Sequence, residues 1–120
     1  MSNTSTKYFQ WSMVQGVVVI EVTPRELSRK DAAQEWVDEL RALHASKPSD
    51  RYIIDFRNTE FISSTAFSVV VLFSKEVARA GGSLVLCGMK TEVRLYAEIL
   101  RMGRIVPIQD DLDIALATIE

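Results

Sequence analysis

Apolar residues in this chain alternate between two spacings, one typical of strands and the other typical of helices. Short β-branched and aliphatic runs, such as Val17–Val22, predict strands, whereas apolar residues three or four positions apart predict helices. The pattern predicts strands at 8–13, 17–22, 52–56, 83–87 and 105–108, and helices at 29–44, 65–80, 91–102 and from 110 onward. This alternation predicts an α/β domain with a mixed, mostly parallel sheet of about five strands and about four helices.

The limits of the domain follow from the polarity of the first residues and from the length of the chain. Residues 1–7 lack an apolar run, so we expect a disordered N-terminal tail followed by one domain over 8–120. A length of 120 residues fits a single domain. Gly16 predicts a hairpin between the first two strands, and Ser28 and Asp110 are the predicted N-caps of the first and last helices.

The composition narrows the classes of function. Hydrophobic residues make up 48% of the chain and charged residues 25%, as in soluble globular proteins. The net charge of -2 and the scattered basic residues argue against nucleic acid as a partner. The longest apolar stretch, 67–73, is too short to cross a bilayer, and the first residues do not form a signal peptide. We therefore expect a cytoplasmic protein that does not insert into a membrane.

Residues that could carry enzyme chemistry are few. His44 is the single histidine, and a surface position is the favoured interpretation. Cys87 lies in a strand pattern and is predicted to be a small core residue, which leaves no disulfide and no cysteine-rich zinc site. Asp110, Asp111 and Asp113 resemble a metal cluster superficially, but two of them fit favourable charges at a helix start, which is the favoured interpretation. With no nucleotide-binding or HExxH motif, we expect no catalytic residues, metal or cofactor, and therefore not an enzyme.

Three hydroxyl residues, Ser63, Ser64 and Thr65, precede a strongly apolar helix. A single hydroxyl is enough to cap a helix, so the others are candidates for phosphorylation. A phosphate adds about −1.5 to −2 charges, which the positive end of the helix would tolerate. The same charge would disrupt docking of a partner on the adjacent apolar surface. The predicted partner-binding residues are Ser63, Ser64, Thr65, Phe67 and Ser68.

Several segments together resemble the STAS domain family, which is named after sulfate transporters and anti-sigma factor antagonists. Segment 52–56 resembles the family's apolar strand ending in aspartate, and segment 61–67 resembles its aromatic-apolar-Asp-Ser-Ser/Thr-Gly-Leu signature. Segment 80–88 resembles its Gly-Gly-strand segment, and 93–115 resembles its closing helix, strand and helix. Each segment is weakly specific alone, but their order and spacing over 17–119 are more specific.

The resemblance implies a non-enzymatic regulatory module of the anti-sigma factor antagonist type, which binds an anti-sigma factor or a serine kinase. In this partner switching, phosphorylation of the serine after the signature aspartate blocks binding, and a PP2C-type phosphatase restores it. Aligned residue by residue, that serine is Ser64, with Thr65 and Ser63 as less favoured acceptors.

Three positions depart from the family pattern. Ser63 replaces the signature aspartate, Ala66 replaces the glycine, and Ser28 replaces a frequent aspartate. The missing charge beside the acceptor leaves a second hypothesis open: a constitutive, non-phosphorylated STAS scaffold or transporter-associated subunit.

Overall fold

Three antiparallel strands open the fold, and strands and helices alternate after them. The computed structural model describes residues 4–119. The strands are β1 (Thr4–Ser5), β2 (Phe9–Val14), β3 (Val17–Val22), β4 (Glu26–Leu27), β5 (Arg51–Asp55), β6 (Phe61–Ile62), β7 (Ser83–Cys87) and β8 (Ile108–Gln109). The helices are α1 (Lys30–Ala45), α2 (Ser64–Arg79), α3 (Thr91–Ile99) and α4 (Leu112–Thr118), with a 3₁₀ turn at Met102–Arg104.

The main sheet has the strand order β1-β2-β3-β5-β7-β8 within the described residues. The pairs β1–β2 and β2–β3 are antiparallel, and β3–β5, β5–β7 and β7–β8 are parallel. This arrangement confirms the predicted mixed, mostly parallel α/β sheet with four helices, to which β1 adds a short edge strand. No helix within residues 4–119 combines the length and apolar character needed to cross a bilayer.

The turn between β2 and β3 shows why a glycine is needed there. Gln15 and Gly16 both have positive φ, at 54° and 80°. Two consecutive residues of this kind form the tight turn whose twist matches that of a two-stranded ribbon. The hairpin predicted at Gly16 is therefore confirmed.

Successive side chains along each strand point to opposite faces of the sheet, and this divides the core into two layers. One set of strand residues packs beneath α1, α2 and α3, and includes Val18, Ile20, Tyr52, Ile54 and Leu86. The intervening residues face α4 on the other side of the sheet: Val17, Ile53, Val85 and Cys87. Because the parallel strands are covered on both faces, their sequences are continuously apolar instead of alternating.

Part of the predicted N-terminal tail contacts the domain in the structure. Thr4–Ser5 pairs with β2, and the Thr6 hydroxyl donates a 2.6 Å hydrogen bond to Glu39 on α1. The Lys7 N–H also donates to Glu39, at 3.2 Å. Residues 4–7 therefore contact the domain, and residues 1–3 lie outside the described residues.

The predicted helix caps also need correction. The N-cap of α1 is Arg29 and not Ser28, and it makes no capping hydrogen bond through its side chain. The N-cap of α4 is Asp111, whose Oδ1 accepts the Ile114 N–H at 2.9 Å. Asp110 instead pairs with Arg94 at 3.2 Å.

The strand predicted at 105–108 begins later, at Ile108. The Met102 carbonyl accepts the N–H groups of both Ile105 and Val106, at 2.9 Å each, so these residues close the 3₁₀ turn. The turn also ends α3 at Ile99, earlier than the predicted residue 102. A short apolar run is compatible with either a turn or a strand, so the sequence pattern alone does not decide between them.

Candidate functional site

Ser63 forms the cap of α2. Its backbone is extended, with φ −82° and ψ 165°, and its Oγ accepts the N–H of Ala66 at 3.1 Å. The Ser63 carbonyl accepts the N–H of Phe67 at 2.9 Å. The hydroxyl therefore satisfies one of the N–H groups that a helix leaves without an internal acceptor.

Ser64 is the first residue of α2, and its side chain is exposed. Its hydroxyl makes no hydrogen bond to any other described residue. Thr65 and Ser68 are exposed next to it, and the Ser68 hydroxyl donates to the Thr65 carbonyl. The structure thus brings the predicted hydroxyl residues together at the start of α2 and leaves the Ser64 side chain exposed.

Phe67 does not belong to this surface, contrary to the sequence-based prediction that it contacts a partner. Its side chain is 1% exposed. The ring packs between Phe56 and Tyr96, with centroid separations of 6.4 and 5.9 Å. Phe67 therefore supports the start of α2 from inside the core and does not reach a docked protein.

A small parallel sheet, β4–β6, holds the segment that leads into α2. Glu26 pairs with Phe61 and Leu27 with Ile62. The Leu27 carbonyl accepts the N–H of Ser63 at 3.0 Å, so β4 contacts the cap residue directly. The loop before α1 and the loop before α2 are thereby joined into one structural unit.

Two further contacts reinforce this unit. The Arg25 guanidinium donates to both carboxylate oxygens of Glu60, at 3.0 and 3.2 Å. This ion pair lowers the pKa of Glu60, mainly through the hydrogen bonds from Arg25. The Thr59 hydroxyl, which is buried, donates to the Pro24 carbonyl at 3.0 Å.

A buried carboxylate, Asp55, organises the start of the loop between β5 and β6. It is 2% exposed, its Oδ1 accepts the N–H of Arg57 at 3.0 Å, and its Oδ2 lies 3.3 Å from the Arg57 Nε. Burial raises the pKa of Asp55, and the Arg57 contacts oppose that rise. A Cβ at Gly88 would lie 2.2 Å from Oδ1, and the glycine has a φ of +73°. The site therefore requires glycine beside the carboxylate.

An apolar cleft of about 380 Å³ lies between β6 and α3, beside the start of α2. Its apolar lining consists of Phe61, Ile62, Val93, Leu95, Tyr96 and Ile99. Leu95 and Ile99 are exposed, and the sequence-based predictions did not include them as surface residues. The signal was present, because apolar residues in α3 are too many for a single inward stripe.

The described residues show no arrangement for metal or thiol chemistry. Within residues 4–119, no three His, Cys, Asp or Glu side chains lie close enough together to hold a metal. Burial and the nearby Asp55 charge raise the pKa of Cys87 to about 12, so its reactive thiolate is disfavoured. His44 is half-buried, with its ring edge-on to Tyr52 and Phe73, which corrects its predicted surface position.

Comparison with known proteins agrees with this geometry. The family model described as STAS domain matches residues 16–115. BtrV of Bordetella bronchiseptica, provisionally named an anti-sigma factor antagonist, is 33% identical over 76 residues. That match spans 63% of this chain and 66% of the length of BtrV.

Solved structures share the fold at lower sequence identity. An anti-sigma factor antagonist from Mycobacterium paratuberculosis has a TM-score of 0.81 at 19% identity, covering 98% of this chain and 94% of that one. SpoIIAA of Bacillus, in its phosphorylated form, has a TM-score of 0.67 at 18% identity, covering 91% and 96%. The family match, supported by the shared fold, shows that the chain belongs to the STAS domain family and is similar to the anti-sigma factor antagonists within it.

Proposed function

We propose that this domain is a cytoplasmic anti-sigma factor antagonist that binds an anti-sigma factor or serine kinase until Ser64 is phosphorylated. The observation that carries the proposal is the Ser64 hydroxyl at the first residue of a 16-residue helix, which is exposed and makes no hydrogen bond within residues 4–119. A kinase can reach this group without unfolding any part of the domain. A PP2C-type phosphatase would reset the protein by the same route.

The fold can accept a phosphate at Ser64. Ser63 already provides the helix cap, so modification of its neighbour leaves the capping hydrogen bond to Ala66 in place. The first turn of α2 contains no acidic residue that would repel the phosphate. The helix dipole and the N–H groups at this end favour negative charge. Phosphorylation is therefore expected to change binding more than stability.

The same phosphate charge would oppose docking of a partner on this surface. A partner covering Ser64 would remove water from the phosphate, and burial of an unpaired charge is costly. The unmodified hydroxyl carries no such penalty, because it can hydrogen-bond to the partner or to solvent. Binding would thus depend on the phosphorylation state of one exposed side chain.

The neighbouring hydroxyls support Ser64 as the acceptor. Ser63 is less suitable, since phosphorylation would modify the oxygen that caps α2. Thr65 is exposed and remains the matched alternative. SpoIIAA, which shares this fold, has been solved in unphosphorylated and phosphorylated forms, and this supports phosphorylation as the means of control.

Mass spectrometry tests the modification. The purified domain would be incubated with ATP and a cognate anti-sigma factor kinase, and the intact mass and the modified residue would be determined. We expect one phosphate on Ser64, none on Ser64→Ala, and normal incorporation into Thr65→Ala. Absence of phosphate, or phosphate on another residue, would overturn the assignment.

Binding to the same kinase tests the switch. Ser64→Asp should weaken binding about tenfold or more, since a charge at an interface opposes docking. Gln34→Glu adds one negative charge on the exposed face of α1 and should leave binding unchanged. Ser64→Ala should bind like the unmodified protein. Equal binding by Ser64→Asp and Ser64→Ala would reject phosphorylation control.

A second candidate is a constitutive STAS scaffold or transporter-associated subunit. The observation that favours it is Ser63, which replaces the charged residue of the family signature. The structure supplies a counter-argument, because serine and aspartate are equivalent helix caps and Ser63 performs that role. A pull-down that is unaffected by Ser64→Asp would favour the scaffold.

A further inference from the structure

The cleft between β6 and α3 is bordered by three exposed apolar side chains. Phe61 is 51% exposed, Leu95 53% and Ile99 74%. Their side chains border one concave space of about 380 Å³, within the range of pockets that bind small molecules. A contiguous apolar patch of this kind is typical of an interaction surface, whereas single exposed apolar residues are not.

The cleft is continuous with the structure around Ser64. Ile62 lines the cleft and lies two residues before Ser64 in the chain. Tyr96, on the opposite wall, packs its ring against Phe67 in the first turns of α2, with a centroid separation of 5.9 Å. A protein that covers Ser64 can therefore place a side chain in the cleft.

The charges at the cleft restrict what can enter it. Its charged lining residues are Glu60 and Glu92. Glu60 is held by Arg25, with two short contacts to the guanidinium. Glu92 is exposed and has no ion pair with any residue in the described range 4–119. An occupant that presents a cation beside its apolar group would complete this surface.

We infer that the cleft binds an aliphatic or aromatic anchor side chain of the partner, followed by a lysine or arginine that pairs with Glu92. This inference rests on the proposed function and identifies the second contact of the same docking surface. A second copy of the chain fits less well. In a two-fold contact each patch faces itself, which would place the glutamates of the two copies close together.

Binding of a small probe tests the inference without any partner protein. We would titrate the uniformly ¹⁵N-labelled domain with acetyl-leucyl-lysine amide and, separately, with acetyl-leucyl-glutamate amide at millimolar concentration. The lysine probe should shift the amide resonances of residues 60–62 and 92–99, and the glutamate probe should shift them less. Equal shifts with both probes, or no localised shifts at the cleft, would overturn the inference.

Variants of the cleft test its role in docking. The assay uses the kinase of the binding experiment without ATP, so Ser64 stays unphosphorylated. The double variant Leu95→Ala and Ile99→Ala should lower affinity about tenfold or more, as expected for anchors in a pocket. Leu72→Ala, which truncates an exposed leucine on α2 outside the cleft, should leave the affinity unchanged. Equal affinity of the double variant and Leu72→Ala would overturn the inference.

A charge reversal on α3 tests whether Glu92 pairs with a cation of the occupant. Glu92→Lys should weaken binding of the lysine probe and of the kinase, whereas Glu98→Lys makes the same change of net charge outside the cleft and should not.

Analytical ultracentrifugation would identify self-association of the domain. A dimer that dissociates in the Ile99→Ala variant would show that a second copy occupies the cleft, and it would refute binding of a partner's anchor side chain. The results expected for the cleft do not change if phosphorylation control fails, because none of these measurements depends on modification of Ser64.

Discussion

Ser63 and Ser64 are adjacent hydroxyl residues with different structural roles, and alanine substitution should separate them. Ser63→Ala removes the acceptor of the Ala66 N–H, a 3.1 Å hydrogen bond at the start of α2. Loss of a serine N-cap costs about 1 kcal/mol, within a range of about 0.5–2 kcal/mol. Ser64→Ala removes an exposed hydroxyl that makes no hydrogen bond to the part of the chain that the structure describes, so its effect should stay within about ±0.5 kcal/mol.

Urea unfolding and thermal melts measure both changes. For a domain of this size, a loss of about 1 kcal/mol lowers the melting temperature by about 4 °C. Ser63→Asp serves as the control for the cap, because aspartate caps helices as well as serine and its charge is favourable there. We therefore expect Ser63→Asp to match or exceed the unmodified protein and Ser63→Ala to fall below it.

Two results would refute this reasoning. A loss with Ser64→Ala as large as with Ser63→Ala would show that the Ser64 hydroxyl supports the fold and is not free for modification. Unchanged stability of Ser63→Ala would show that its hydroxyl does not cap the helix. In either case, the division between a structural hydroxyl and a signalling hydroxyl would be wrong.

Three further predictions concern charge and backbone at the site. Ser64→Asp should raise stability by about 0.3–1 kcal/mol at low ionic strength, through the helix dipole, and a lower urea midpoint would contradict this. Because burial raises the pKa of Asp55 above 3.8, the folded state holds that proton to higher pH than the unfolded chain does. The unmodified protein should therefore lose stability relative to Asp55→Asn as the pH rises through the raised pKa. Urea titrations of both proteins from acidic to neutral pH test the sign, and an advantage of Asp55→Asn that shrinks with rising pH would refute it. Gly88→Ala should cost more than about 1 kcal/mol, because it adds a Cβ 2.2 Å from Asp55 Oδ1 at a positive φ; an unchanged melting temperature would show that the carboxylate can move aside.

The element order was predictable because each long element has a strong apolar pattern. Buried parallel strands read as continuous apolar runs, and α1 and α2 each have an apolar face. The sheet β4–β6 was not predicted as a unit, because two-residue strands are too short to show a period. Its hydrogen bonds join segments that are far apart in the chain, and a one-dimensional pattern does not record such pairing.

The candidate site was predictable in part. The excess of hydroxyls before an apolar helix pointed to segment 63–65, and the resemblance to the STAS family selected Ser64 within it. The structure leaves the Ser64 side chain exposed. Phe67 was assigned to the wrong surface, because α2 is apolar over so wide a face that sequence alone does not separate the buried side from the exposed side. Leu95 and Ile99 posed the opposite problem, since both lie beside inward residues of α3 and their exposure depends on what packs against that helix.

The β4–β6 pair also determines which surface another protein can recognise beside Ser64. Glu26 and Phe61 are partners in this sheet although about a third of the chain separates them. The strands β4 and β6 form this surface together, and a linear peptide around Ser64 would contain only the β6 half of it. An enzyme that recognises both halves would distinguish the intact domain from its fragments or its unfolded form. Signalling through Ser64 would then report on the integrity of the protein as well as on the kinase that modifies it.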